Sequence, residues 1–403
     1  MSGLLRRRVL LRSAPLKSRY EVVVIGGGAH GLATAYYLAS KHGIRDVAVL
    51  ERGYIGMGAS GRNTSVLRAN YKTPQSVAFF KRSLDLYEEL SFELKFNLLK
   101  TTPGVLMLAH SEPTLQAQRE RAMLNAELGV ETVFATPDDV VRLCPALDVS
   151  CGGSNRPILG ASYHPAGASV RHDAVVWGYA MKAQANGVHV HQGVNVTGLT
   201  VRGARVTTVH TSAGPVSCSK VVCAAGGYVS EIASMAGLDL PIQSHPLQAF
   251  VTEPYTPIVN RLVASADLLV YFLQTARGEV VVGSEIERYT SYSTRSTYSF
   301  ISEASAKLLQ LVPAMRKARI LRQWTGICDM TPDYSPILGP TPVDDFFLSS
   351  GWGTWGFKAV PAGGLYLAEC VATGNTPNLI APFVLDRFNN DRLIPDRSSA
   401  GTH

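Results

Sequence analysis

The chain has 403 residues, 46% hydrophobic and 17% charged, which suits a packed globular protein too long for one simple core and excludes a disordered chain. Its formal net charge is +7, but Arg6, Arg7, Arg8, Arg12, Lys17 and Arg19 lie within the first 20 residues with no acid among them, so the remainder is nearly neutral. No basic recognition helix or aromatic stacking platform follows, which argues against a nucleic-acid partner, and no run approaches the ~20 apolar residues of a membrane span.

Residues 1–19 read as a basic N-terminal arm that is disordered or lies on a partner subunit. The same composition also matches an organelle transit peptide, while Val9-Leu10-Leu11 is too short an apolar core for a twin-Arg signal. From Tyr20 a β-α-β pattern begins. The apolar run 22–25 enters Gly26-x-Gly28-Ala29-His30-Gly31, a helical stretch follows, and a second apolar run closes on Glu51, twenty residues after Gly31. Gly26 permits a tight turn, Gly28 lets backbone approach a pyrophosphate, and Gly31 lets the helix pack on the strand. The helix N-terminus offers free N–H groups to phosphate, and Glu51 can accept from both ribose hydroxyls of an adenosine. This is a dinucleotide site.

A polar, glycine-rich connection covers 52–75 and includes Arg62, Asn63 and Thr64. Helical spacing is expected over 75–95 and 113–128, with a strand at 105–109. A helix over 173–186 leads to short strands at 188–190 and 195–199, then strands at 206–210 and 216–224. The last of these ends in Ala224-Ala225-Gly226-Gly227, small enough for close approach of a cofactor. Strands at 249–253, 268–273 and 279–283 precede helices at 301–312 and 362–373. The six cysteines are scattered, with no C-x-x-C pair and no histidine cluster at zinc spacing, so a reduced, cytoplasmic protein without structural metal is expected. Cofactor-like and strand-rich segments interleave, which implies discontinuous domains.

At residues 26–37, 62–68, 244–249 and 351–358 the chain resembles flavin amine oxidases of the D-amino acid oxidase/sarcosine oxidase family. Within it, the chain more closely resembles the β subunits of heterotetrameric sarcosine oxidases, from Tyr20 to about Phe388. It implies an α/β fold with an α+β substrate domain. A Rossmann-like FAD-binding domain (20–78, 158–236 and 322–395) would stand beside a discontinuous substrate domain on a mixed β-sheet (79–157 and 237–321), before a C-terminal tail at 396–403. FAD would meet Gly26, Gly28, Ala29, His30, Gly31, Glu51, Arg62, Asn63, Thr64, Val196, Gly351, Gly353, Gly356 and Lys358. The late loop's glycines suit close approach to a flat ring.

The resemblance places a substrate carboxylate on Arg68 and Lys358, a fork and a point charge. Tyr271 falls near a substrate-wall tyrosine with a one-residue gap, and a core tyrosine fits that position as well. A secondary amino acid would lose hydride to FAD, and the imine would hydrolyse to an amine and an aldehyde, with no dedicated base. The family's FAD-tethering cysteine maps to Gly326, two places from Cys328, so FAD is expected to be noncovalent. The family's oxygen-activating lysine maps to Val281, which implies slow reaction of this FAD with oxygen. His172 matches a histidine joined covalently to FMN at the interface with a large α subunit, so electrons would pass to FMN and then to O2. Trp355 stands where the family has glycine, which suggests a reshaped pocket. Alternatives are a dehydrogenase of another secondary amino acid (proline or N-methylglutamate) with a different acceptor, a non-catalytic flavoprotein scaffold, and an NAD(P) dehydrogenase.

Overall fold

A computed structural model of the chain describes residues 11, 12 and 14–397. Most of the basic arm, including Arg6, Arg7 and Arg8, and residues 398–403 lie outside the described residues. In chain order the elements are β1 (Arg19–Ile25), α1 (Ala29–Lys41), β2 (Val47–Glu51), β3 (Val66–Leu67), α2 (Pro74–Leu94), β4 (Val105–Ala109) and α3 (Glu112–Glu127). Next come β5 (Val133–Ala135), α4 (Pro137–Leu143), β6 (Gly160–His164), β7 (Ala168–Ser169), α5 (His172–Ala185), β8 (His189–Gln192), β9 (Val196–Arg202), β10 (Arg205–Thr211) and β11 (Gly214–Cys223). The last part holds α6 (Val229–Ser234), β12 (Gln243–Pro254), β13 (Leu262–Ser265), β14 (Val270–Gln274), β15 (Glu279–Ile286), α7 (Tyr298–Leu311), β16 (Ile320–Met330), β17 (Ile337–Pro340), β18 (Phe346–Ser350) and α8 (Val360–Thr373).

The first sheet runs β17-β18-β11-β1-β2-β8, with β10 and β9 added at β11. β1 pairs in parallel with both β2 and β11. A central parallel strand is covered on both faces, and Val22, Val23, Val24 and Ile25 are accordingly all buried. One face packs on α1, α5 and α8 through a core containing Leu32, Tyr179 and Leu367; the other packs on Val206, Val216 and Ile232. α1 and α8 approach closely because the contact is made of small residues: a Cβ on Gly364 would lie 2.5 Å from that of Ala33. α2 starts cleanly at Thr73, whose hydroxyl accepts from the Ser76 N–H, with proline in the first turn.

The second sheet runs β16-β12-β15-β14-β13-β4-β6-β5 and is mixed, parallel only between β13 and β4. α7 covers its far side through Phe300, Ala304 and Leu308. The helix-covered α/β first sheet and the mixed second sheet agree with the expected fold class. Two strands differ from the expected segment boundaries. β6 and β16 fall in 158–236 and 322–395, yet both pair in the second sheet, because their backbones complete the ladders of β4 and β12. β12 begins at Gln243, six residues before the expected strand; Pro246 interrupted the pattern but keeps its place opposite Ile327.

The described residues of the expected arm and tail pack on the body of the chain. The described part of the arm packs on this chain: the Arg12 backbone exchanges two hydrogen bonds with the Gln184 side chain (2.9 and 2.8 Å), and Leu11 and Leu16 pack against the cores. Asp396 is fully buried, with its carboxylate accepting from the N–H groups of Lys72 and Thr73 (3.1 and 3.2 Å). Unpaired backbone donors ahead of α2 need an acceptor, and Asp396 supplies it. No helix among the described residues is long and apolar enough to cross a membrane.

Candidate active site

The carboxyl ends of β1, β2, β11 and β18 open onto a cavity of about 830 Å³, roofed by Leu247 and Ala249 of β12 and by Gly326 and Cys328 of β16. Open α/β sheets place ligands beyond the carboxyl ends of their strands. At the mouth of β1, Gly26 has φ +113°, and a Cβ there would come within 2.3 Å of the Ala224 carbonyl oxygen. A Cβ on Gly31 would lie 2.1 Å from the Gly26 oxygen, so neither position admits a side chain without moving backbone. α1 has no side-chain N-cap, although Ser60 Oγ accepts from the Ala29 N–H at 2.9 Å. The first turn therefore keeps donors for an anion. Glu51 accepts from the N–H groups of Gly27 (2.9 Å) and Gly53 (2.8 Å), which aims its carboxylate at the cavity with lone pairs to spare.

The loop 351–358 forms the opposite wall, and sequence reasoning missed what holds it. Asp329, at the end of β16, accepts from the Gly351 N–H at 2.7 Å, while its own carbonyl takes the Gly353 N–H at 3.1 Å. Burial pushes the Asp329 carboxyl up to about 6. A lone acid inside a strand carried no sequence signal for this role. Trp352 stacks on His30 at 4.1 Å, and His30 Nε2 donates to the Gly356 carbonyl at 2.8 Å. Burial lowers His30 to about 4, so its ring is neutral at pH 7 and braces the loop instead of serving as a base. Trp355, expected to reshape the pocket, instead points into the core against Tyr71 (5.2 Å) and Phe80 (6.2 Å) and lines neither cavity.

Gly26, Gly28, His30, Glu51, Arg62, Asn63, Thr64, Val196, Gly353, Gly356 and Lys358 all line the large cavity. Ala29, Gly31 and Gly351 stand behind its wall and shape it through backbone contacts. Val281 does not line it; that side chain joins an apolar cluster with Val66 and Tyr271. A second, small cavity of about 60 Å³ adjoins the first and shares Thr64, Val66, Tyr271, Thr354 and Lys358 with it. Here Arg68 and Lys358 come together. Arg68 is 4% exposed; Nη1 donates to the Asn70 carbonyl at 2.7 Å, and the guanidinium lies over the Tyr71 ring at 4.3 Å. Lys358 is 8% exposed, with Nζ 3.4 Å from the Thr354 carbonyl. Burial, and then the Arg68 charge, hold the Lys358 ammonium well below 10.5. Two buried cations facing one small space make a strong anion site. Among the described residues, no carboxylate or imidazole lines this space.

His172 lies outside both cavities at the start of α5, with Nδ1 3.2 Å from the hydroxyl of Ser65, a residue that lines the large one. Burial lowers its pKa from 6.5, and Nε2 makes no hydrogen bond among the described residues.

A family model described as FAD-dependent oxidoreductase matches residues 21–370. The chain belongs to this family. Its relatives include the β subunit of sarcosine oxidase from Rhodobacter capsulatus, 42% identical over 385 residues that cover 96% of this chain and 92% of that protein. The corresponding subunit from an Arthrobacter species is 41% identical, covering 95% of each chain. Among solved structures, L-proline dehydrogenase from P. horikoshii shares the fold with TM-score 0.88 and 28% identity, covering 94% of this chain and 100% of that one. Glycine oxidase from Geobacillus kaustophilus, at 22% identity and TM-score 0.83, shares the fold.

FAD is the cofactor of the family, and the residues present fit it. The glycine cradle, the uncapped helix and Glu51 suit an adenosine diphosphate, and Thr354 Oγ1 is buried at the cavity wall without a protein partner, available to a polar ligand atom. Cys328 faces this cavity, but burial pushes its thiol above the usual value, which keeps it protonated and a poor nucleophile. Acid precipitation of the holoprotein should therefore release all of its FAD; yellow flavin retained in the pellet and traced to Cys328 would contradict this.

Proposed function

We propose that this chain is the FAD-carrying catalytic subunit of a heteromeric enzyme that oxidises a small secondary amino acid of the sarcosine type. The observation that carries this reading is the meeting of Arg68 and Lys358, from opposite ends of the chain, in one small cavity that opens onto the large one. Arg68 and Lys358 bind the substrate carboxylate. Val66, Val105, Met107 and Leu262 exclude water from the other side, and Tyr271 closes the wall between the cavities. Among the described residues no carboxylate lines the small cavity to pair with an ammonium, and the Arg68 charge there disfavours one, so the amine binds neutral. FAD, when bound, would supply the hydride acceptor, and His172 would hold an FMN as the carrier through which electrons leave for oxygen.

His172 would suit attachment because burial lowers its pKa below 6.5 and Ser65 holds Nδ1, so Nε2 is the nitrogen that would carry the FMN. The large subunit would cover this face. The apolar company of Val281 supports a FAD that reacts slowly with oxygen and hands its electrons on. A cytoplasmic setting accords with six free cysteines.

The test is reduction of the bound flavin by a panel of secondary amino acids, read as bleaching of its visible absorbance under anaerobic conditions. Sarcosine should reduce it fastest; a preference for L-proline would favour the second reading, a dehydrogenase with another acceptor, which the likeness to L-proline dehydrogenase supports. No reduction by any amine would favour a scaffold role, and a colourless protein would point to NAD(P). The tether has its own measurement. Denatured chain from the assembled complex should carry an FMN-sized adduct mapping to His172, absent in His172→Ala; unmodified chain from intact complex would refute it.

A further inference from the structure

Resting on the proposed amine oxidation, we infer that Ala264 and Met107 set the size of the group the substrate carries on its nitrogen or α-carbon, and that the site takes small, uncharged groups. In the second sheet Gly283 lies opposite Tyr271, Tyr271 opposite Ala264, and Ala264 opposite Met107. Residues paired across strands share a sheet face, so these four positions form one row. Gly283 has no side chain, and the Tyr271 ring lies over it; a Cβ there would sit 2.2 Å from Tyr271 Cζ. With that ring drawn over Gly283, the methyl of Ala264 stands between two long side chains. The gap above it belongs to the small cavity that Tyr271, Ala264 and Met107 all line.

The charges of this cavity come from outside the sheet. Arg68 follows β3, and Lys358 lies in the loop after β18. Among the described residues the sheet side offers Val105, Met107, Leu262, Val263 and Ala264 beside Tyr271. A second carboxylate directed there would be buried without a cation, which disfavours dicarboxylic amines. An alkyl group directed there meets apolar walls, with its length limited by Met107 and its depth by Ala264.

The experiment compares kcat/KM of the holoenzyme complex for glycines bearing N-methyl, N-ethyl and N-propyl groups, with N-methylglutamate as the charged probe. Ala264→Val should lower the N-ethyl to N-methyl ratio by about tenfold or more, and Met107→Ala should raise it by a similar factor, since a methylene in an apolar pocket discriminates on that scale. Neither residue lines the large cavity, so flavin content should stay at the wild-type level and reports whether each variant is intact. Unchanged ratios in flavin-replete variants, or N-methylglutamate turned over as well as the N-methyl compound, would overturn the inference while leaving the amine oxidation standing. A wild-type flavin reduced by none of these amines would defeat the proposed function and this inference together.

Discussion

Replacing Arg68 with alanine is expected to lower kcat/KM for the amino acid by about 30- to 5,000-fold, the range given by ~2–5 kcal/mol for removing one partner of a buried charge pair. Most of the loss should fall on KM if the carboxylate is held equally in ground and transition states. Flavin should stay bound, because Arg68 lines only the small cavity. Arg68→Lys should recover only part of the loss: a single ammonium cannot reproduce the fork, the 2.7 Å bond to the Asn70 carbonyl and the stacking on Tyr71 together. The pH profile adds a second readout. Lys358 must be charged to hold a carboxylate, and burial first, then Arg68, hold its pKa below 10.5. Removing Arg68 lifts one of these causes, so the alkaline limb of kcat/KM should move to higher pH. Full kcat/KM in a flavin-replete Arg68→Ala complex would end the carboxylate reading.

Asp333→Asn is expected to destabilise the chain by about 3–5 kcal/mol, because it leaves the Arg387 guanidinium buried without its counter-charge. The pair is closed to solvent, with side-chain exposures of 0% for Asp333 and 2% for Arg387, and two parallel bonds of 2.8 and 3.0 Å join them. At about 2.1 cal/mol/K of unfolding entropy per residue, that loss lowers Tm by roughly 5 °C. Replacing both partners with apolar residues should cost much less, since no orphan charge remains. Burial raises the Asp333 carboxyl and Arg387 overrides it, leaving a net value below 3.8. Its folded pKa is thus depressed, so its contribution is present above the unfolded value and is lost as pH falls through the folded one, below about pH 4. The effect should reach the active site, because the Asp333 carboxylate also takes the Ile394 N–H and its carbonyl takes the Asp396 N–H. Asp396 in turn holds the backbone after Tyr71. A single variant with unchanged Tm, or a double variant as unstable as the single, would contradict this account.

The residues legible in advance are those whose roles are local. A glycine that must take φ +113°, or at which a Cβ would lie 2.1 Å from a carbonyl oxygen, declares itself by spacing, and so does an acid closing the second strand. The helix at 173–186 was legible from periodicity and is seen at His172–Ala185. Trp355 was misread because its loop is local but its direction is not: Tyr71 and Phe80 provide an apolar slot, and burying an indole there outweighs exposing it to the cavity. Asp329 and Asp396 were invisible because each answers backbone donors in a segment remote in sequence.

The sequence by itself determined a dinucleotide fold with the glycine turn and Glu51, since turns, helix starts and strand ends are set by neighbours a few residues apart, while the 62–64 stretch and the 351–358 loop were assigned to the cofactor through the family resemblance. Only the tertiary structure decided that Arg68 and Lys358 share one cavity, that His172 stands outside it behind Ser65, and that Ala264 leaves a gap beside Tyr271. Those placements depend on how two sheets and the helices between them close on each other, and packing at that distance leaves no periodicity in the chain to read.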